Sequence, residues 1–188
     1  MAKVKQLVST KIINEGLKYI EKDPMENLDK LLIWSENMIK RENHKEIHQR
    51  FTEIVDNPNS NWYQLIERYF EELSPATRQK FMVNFMLNSG IVGIPTQYKM
   101  QEKYNCNVPW AILIDPTSAC NLKCTGCWAA EYDKTDSLSY ETLDRVINEG
   151  KNIGIYMYIY SGGEPLVRND DFIKLAEEHD DCFFLSFT

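Results

Sequence analysis

The sequence predicts a helical N-terminal region, residues 1–105, followed by an α/β region with a parallel sheet, residues 106–188. Three observations carry this. Apolar residues in the first region recur at helical spacing. After residue 109, short apolar runs alternate with helix-spaced segments, an order that calls for parallel strands joined by right-handed crossovers. The composition, 43% apolar and 26% charged, is that of a chain able to bury a core.

In the first region, Val4, Leu7, Val8, Ile12, Leu17 and Ile20 repeat near helical spacing until Asp23-Pro24 stops the run. Leu28, Leu31, Leu32, Ser35, Met38 and Ile39 make one face of a second helix. Arg41 to Arg50 reads as a solvated, charged helix face. His44 and His48 share it, four residues apart. A zinc-protease helix needs Glu directly after the first His, and Lys45 stands there. Asn57-Pro58-Asn59-Ser60 is a turn, and Trp62 to Leu73 a third helix. Ser74-Pro75 starts the next with an N-cap and a proline. That helix carries Phe81, Met82, Phe85 and Met86, and Gly90 is expected to end it in a left-handed conformation.

In the second region, Trp110 to Ile114 is a strand, with a cysteine-rich loop directly after it. Ser139 caps a helix with Glu141 in its first turn, where the helix dipole favours an acid. Leu143, Val146, Ile147, Gly150 and Ile153 form its buried stripe, and Gly154 ends it. Ile155 to Tyr160 is a second strand. Tyr156, Tyr158 and Tyr160 share one face of it, expected to pack under helices. Asp170 to His179 is a helix. Cys182 to Phe187 is a third strand, with Cys182 as a small core residue. Sites in such sheets lie beyond the carboxyl ends of the strands. Segments 117–128 and 161–165 both fall at that edge.

The formal net charge is −7, with no dense Lys/Arg cluster, which makes nucleic acid an unlikely partner. Residues 1–8 lack the apolar core of a signal peptide, and no apolar run reaches the roughly 18 residues of a membrane span. A cytoplasmic protein is the default expectation. The five cysteines, 106, 120, 124, 127 and 182, are odd in number, and three fall within 120–127. That crowding points to metal or redox chemistry, not to a disulfide framework.

Cys120-Asn-Leu-Lys-Cys124-Thr-Gly-Cys127 has the spacing C-x3-C-x2-C. Thiolates are soft ligands that suit iron–sulfur clusters and zinc. On a cubane of four irons, three cysteines leave one iron open to a small ligand. A structural zinc site or a closed ferredoxin-type cluster needs a fourth ligand. Cys106, Cys182 or His179 could supply one, but none has zinc-finger spacing to the loop. The second informative segment is Ser161-Gly162-Gly163-Glu164-Pro165. Two glycines permit a sharp turn and a close backbone approach to a ligand. Glu164 offers a carboxylate to an ammonium group, and Pro165 fixes the exit direction. Taken alone, Gly162-Gly163 reads as a plain strand-to-helix turn.

Together, in this order and each after a strand, the two segments resemble the radical S-adenosylmethionine (SAM) superfamily, over about Trp110 to Thr188. The resemblance implies a [4Fe–4S] cluster held by Cys120, Cys124 and Cys127, its open iron chelated by the amino and carboxylate groups of SAM. It implies reductive cleavage of SAM to methionine and a 5′-deoxyadenosyl radical, which takes a hydrogen from an unidentified substrate (peptide, lipid or small molecule). Gly162, Gly163, Glu164 and Pro165 would contact the methionine amino group. An electron donor such as flavodoxin or ferredoxin is implied as partner. The implied fold is a partial (β/α)6 barrel, of which 106–188 is the N-terminal part. About half a barrel leaves an exposed parallel edge, so the chain is expected to be a fragment, inactive alone.

One position departs from the family pattern. Many members carry an aromatic residue just before the third cysteine, where this chain has Gly126, and Trp128 could take over packing on the adenine. Asp133, Lys134 and Asp136 read as an exposed loop. Two rival functions remain open: an iron–sulfur protein that transfers electrons or senses redox state without cleaving SAM, and a zinc-stabilised interaction domain.

Overall fold

Proline and serine punctuate the helices of the first unit. Helix α1 covers 14–20. Pro24 opens α2, Pro24–Glu36. Helix α3 is Glu42–Val55, α4 is Asn61–Glu72 and α5 is Pro75–Phe81. Ser60 caps α4 by accepting from the Tyr63 amide at 3.0 Å, and Ser74 caps α5 by accepting from Thr77 at 3.2 Å. The computed structural model describes residues 11, 12, 14–36, 42–127, 133 and 135–188, and of residues 42–44, 46 and 47 the backbone alone. By internal contacts the chain divides into two units, Met1–Lys80 and Phe81–Thr188.

In the first unit Arg78 is the polar hub. Its Nε donates to Glu21 Oε1 at 2.9 Å, and its Nη1 donates to the carbonyls of Phe70 and Leu73 at 2.6 and 2.7 Å. A guanidinium with several matched acceptors can be buried at tolerable cost. Tyr69 donates to the Arg78 carbonyl at 2.9 Å, and burial pushes its phenol up to about 12. His48 Nε2 donates to the Leu32 carbonyl at 2.8 Å and ties α3 to α2. That histidine is a structural donor, and the His44 side chain lies outside the described residues.

The second unit begins with a correction. Gly90 does not end a helix. Residues Met82–Val92 form a π-helical segment that runs directly into α6, Gly93–Tyr104. The left-handed residue that closes the run is Asn105, at φ 49°. The cause is tertiary. Asn84 Nδ2 donates to the carbonyls of Asp180 and Cys182 at 2.9 and 2.8 Å, and Asn88 Nδ2 to that of Asp181 at 2.8 Å. The Gly93 amide reaches back five residues to the Asn88 carbonyl, the wider π-type turn. The residues before the first strand thus pack against the entrance to the third.

Strands β1 (Ala111–Ile114), β2 (Met157–Tyr160) and β3 (Phe183–Ser186) form a parallel sheet in that order. Ala111 stands opposite Met157, and Met157 opposite Phe183. Helix α7, Tyr140–Asn152, joins β1 to β2. A 3-10 turn, Pro165–Arg168, and α8, Asn169–Glu178, join β2 to β3. Parallel neighbours need such crossovers, and the α/β class expected of this region is what the structure has. Ser139 caps α7 as expected, accepting from the Thr142 amide at 3.2 Å.

One face of the sheet makes the core. Leu143, Ile147, Ile155, Tyr158 and Leu175 are fully enclosed, and Tyr160 and Phe172 stack with centroids 4.2 Å apart. The tyrosine face does pack under helices: the Tyr158 hydroxyl donates to the carbonyls of Ile147 at 2.9 Å and Ile155 at 3.1 Å. Cys182 is buried in the same cluster. Burial pushes the Tyr158 phenol and the Cys182 thiol well up, so both stay uncharged. Leu113, out of phase with Ile112 and Ile114, lies on the opposite face and is 58% exposed. Among the described residues no helix is long and apolar enough to cross a membrane.

The α7–sheet contact yields a test. A Cβ on Gly150 would lie 2.2 Å from the Tyr158 hydroxyl oxygen. Gly150→Ala is expected to cost about 1–3 kcal/mol by overpacking, read as a lower urea midpoint. Adding Tyr158→Phe, which removes the clashing oxygen, is expected to make the pair cost less than the sum of the single changes.

Candidate functional site

Two backbone segments leave the carboxyl edge of the sheet side by side. Past the end of β1, residues 115–119 run alongside the turn 161–164 that follows β2. Ser161 N donates to the Ile114 carbonyl, Gly163 N to that of Thr117 and Glu164 N to that of Ala119, each at 2.9 Å. The contact is tight because both glycines lack a Cβ. One on Gly163 would lie 2.2 Å from the Ala119 oxygen and 2.7 Å from that of Ser118. One on Gly162, at φ +98°, would lie 2.8 Å from the Thr117 oxygen. The close approach expected of these glycines is therefore made first by the chain's own backbone, the stretch leading into Cys120.

The same stretch is held on its other side. Thr117 and Ser137 form an antiparallel bridge. Ser118 N donates to the Asp136 carbonyl at 2.8 Å, and Leu138 N to that of Pro116 at 3.0 Å. The Thr117 and Ser137 hydroxyls are 2.6 Å apart, and the Asp136 amide donates to Ser118 Oγ at 3.0 Å. The cysteine segment is thereby drawn closed at its base. Asp136 contributes backbone groups to that closure, and Asp133 is exposed.

Cys120, Cys124 and Cys127 follow on this loop, all as free thiols. Cys124 is exposed and the other two are half-buried. The Leu122 amide donates to Cys120 Sγ at 3.4 Å, and the Cys127 amide to the Cys124 carbonyl at 3.3 Å. Gly126 makes the tight turn between the last two cysteines, at φ +74°, a conformation that disfavours any side chain there. The glycine that departs from the aromatic pattern thus has a local backbone reason. Trp128 and Lys134 lie outside the described residues.

Among the described residues, no three of His, Cys, Asp or Glu are gathered so as to hold a metal ion, and the three thiols are included in that statement. The donor set nevertheless fits an iron–sulfur cluster in kind: three soft sulfurs on one short loop, at the edge where α/β sheets bind ligands. Two of the three possible fourth ligands are engaged elsewhere, while Cys106 is an exposed free thiol. Cys182 is buried with its thiol pushed up by desolvation, which opposes the thiolate form a metal needs. His179 is buried against Asp144, Nε2 to Oδ1 at 2.8 Å.

Glu164 is 5% exposed, and its carboxylate serves the turn itself. Oε1 accepts from the Leu166 amide and Oε2 from the Thr188 hydroxyl, both at 2.9 Å. It is the N-cap of the 3-10 turn that Pro165 opens. Sequence reasoning missed Thr117, Ser118 and Arg168, whose roles are contacts with residues distant in the chain. Arg168, four residues after Glu164, was the one with a readable signal: a lone cation beside a ligand-type turn.

The zipper between the two segments predicts a graded response. Gly163→Ala is expected to destabilise the second unit by about 1–3 kcal/mol, because the obstructing atoms are backbone and cannot swing away. Amide hydrogen exchange at Glu164 should quicken while that of the α7 core stays slow.

Comparison with known proteins bears on the same stretch. Residues 114–183 match the family described as the radical SAM superfamily. A protein of Desulforamulus reducens named GTP 3′,8-cyclase is 37% identical over 75 residues, 38% of this chain and 23% of that protein. Another GTP 3′,8-cyclase, of Alkaliphilus oremlandii, is 32% identical over 87 residues, 43% of this chain and 27% of that protein. An uncharacterized protein of Archaeoglobus fulgidus is 30% identical over 69 residues, 36% of this chain and 17% of its own length. The chain thus aligns with about a quarter or less of each relative. No solved structure matches it. Residues 114–183, with the cysteine loop near their start and the Gly-Gly-Glu-Pro turn at the end of β2, are thus the part of the chain that is similar to the radical SAM superfamily.

Proposed function

We propose that residues 106–188 are the N-terminal part of a radical SAM domain, a partial (β/α)6 barrel whose first three strands are β1, β2 and β3. Cys120, Cys124 and Cys127 hold three irons of a [4Fe–4S] cluster, and the turn Gly162–Pro165 receives the methionine end of SAM. A cluster held there would supply one electron for reductive cleavage of SAM to methionine and a 5′-deoxyadenosyl radical, which would take a hydrogen atom from the substrate. A flavodoxin or ferredoxin delivers that electron, in the cytoplasm. The observation that carries the reading is the backbone zipper: Gly163 N to Thr117 and Glu164 N to Ala119, each 2.9 Å, make the cysteine loop and the cofactor turn one structural unit.

This chain's own residues have defined tasks in that reading. The three thiols lose their protons on binding metal, so cluster uptake releases protons. The buried Glu164 carboxylate, already accepting from Leu166 and Thr188, fixes the turn and would offer its remaining acceptor sites to an ammonium group. Leu113, exposed on the face opposite the tyrosines, offers apolar surface to a ligand lying over that end of the sheet. The relatives named GTP 3′,8-cyclase make a nucleotide one substrate class to test, beside peptides and lipids.

Reconstitution with iron and sulfide under anaerobic conditions tests the proposal. The expected product is a cluster of four irons per chain with an EPR signal that changes on adding SAM to the reduced protein. Replacing Cys120, Cys124 or Cys127 with Ala should abolish it, while Cys106→Ala and Cys182→Ala should leave it. Bound zinc in place of iron, or an EPR signal indifferent to SAM, would sink the reading.

A further inference from the structure

Arg168 sits at the end of the 3-10 turn, directly after the Gly-Gly-Glu-Pro segment, with its side chain 13% exposed. Its Nε and Nη2 both donate to Asp171 Oδ2, at 2.9 and 2.6 Å. Its Nη1 donates to the Pro116 carbonyl at 2.9 Å and also to the Leu138 carbonyl. Those two carbonyls lie on opposite sides of the cysteine segment: Pro116 precedes it and Leu138 follows it. They are already neighbours through the Leu138 amide, which donates to Pro116 at 3.0 Å. One guanidinium therefore reaches both ends of the segment that carries Cys120, Cys124 and Cys127, from the turn proposed to receive SAM.

From this geometry we infer that Arg168 is a positioning residue for the cysteine loop, a clamp that pins both ends of the loop to the cofactor turn; the inference rests on the proposed function above. Closing a loop costs entropy that grows with its length, and three sulfurs must converge on one cluster. Fixing the base of the loop removes part of that cost before metal binds. Arginine suits the task, because its planar fork spreads fixed donors over separate acceptors. Lysine, a point donor on a flexible stem, cannot span the same set.

The test uses the full chain with Arg168→Met, which keeps the stem and removes the donors, and with Arg168→Lys. Asp171→Asn serves as the control that weakens only the ion pair. The first readout needs no metal: amide hydrogen exchange of Ser118 and Leu138. Arg168→Met is expected to speed exchange at both by about tenfold, with β2 and α7 unchanged, and Arg168→Lys to fall between. Asp171→Asn should stay near the parent. The second readout is iron retained against a chelator after anaerobic reconstitution, expected to fall about tenfold, the lower end of outer-shell effects on metal sites. Unchanged exchange at Ser118 and Leu138 overturns the clamp. So does equal iron retention in parent and variant. A parent chain that takes up no cluster, while exchange in Arg168→Met still quickens, counts against the proposed function and leaves the loop-pinning standing. Should Arg168→Met fail to fold, the same comparisons with Arg168→Lys decide.

Discussion

The second unit is organised around the contact between residues 117–119 and the turn Gly162–Glu164. Two amides of the turn donate to carbonyls of the stretch leading into Cys120, at 2.9 Å each. The approach leaves no room for a Cβ at position 163. A parallel sheet offers no hydrogen bonds beyond the ends of its strands, so segments leaving β1 and β2 would ordinarily diverge. Here they stay paired past the sheet edge. That pairing sets the start of the cysteine loop, the direction of the Glu164 side chain and the point from which Arg168 reaches across the loop base.

The role of Glu164 follows from the same contact. Its sequence suggests an acid presented to a ligand. In the fold it is buried, and each of its oxygens has a partner within the protein. Amide and hydroxyl donors replace the water this carboxylate loses on burial. It still has lone pairs to spare, since an ionised carboxylate can accept about four hydrogen bonds. Structural capping and ligand recognition are therefore compatible at this residue. A carboxylate locked by the turn is better preorganised for a cation than one free to rotate.

The two faces of the sheet have different fates. The face of Tyr158 and Tyr160 is sealed under α7 and α8 by aromatic stacking and by hydroxyl bonds to helix carbonyls. The opposite face leaves Leu113 largely exposed. In the helical unit, α4 has a strong apolar stripe but no buried residue, and Trp62 and Leu65 are 63% and 54% exposed. The described chain thus shows apolar surface in both units.

How much of this was legible in the sequence can be argued from particular residues. Periodicity marked the three strands and both crossover helices, because buried stripes such as Leu143, Ile147 and Gly150 leave a local imprint. Caps at Ser60, Ser74 and Ser139 were readable for the same reason: a side chain bonding its own third neighbour is a local event. The spacing of Cys120, Cys124 and Cys127 marked a metal or redox loop, and only beside it did the Gly-Gly-Glu-Pro turn carry the radical SAM resemblance that the comparisons support over 114–183. The helix that passes through Gly90 was not legible. Its path depends on Asn84 and Asn88 finding carbonyls at 180–182, far along the chain. Nor could the sequence say what Gly163 makes room for, or that Arg168 bonds Pro116 and Leu138. By itself the sequence determined which groups are candidates for the chemistry and which stretches become strand or helix, since both are set within a few neighbouring residues. Tertiary structure alone decided which backbone meets which, because a hydrogen bond between residues dozens of positions apart leaves no periodic trace.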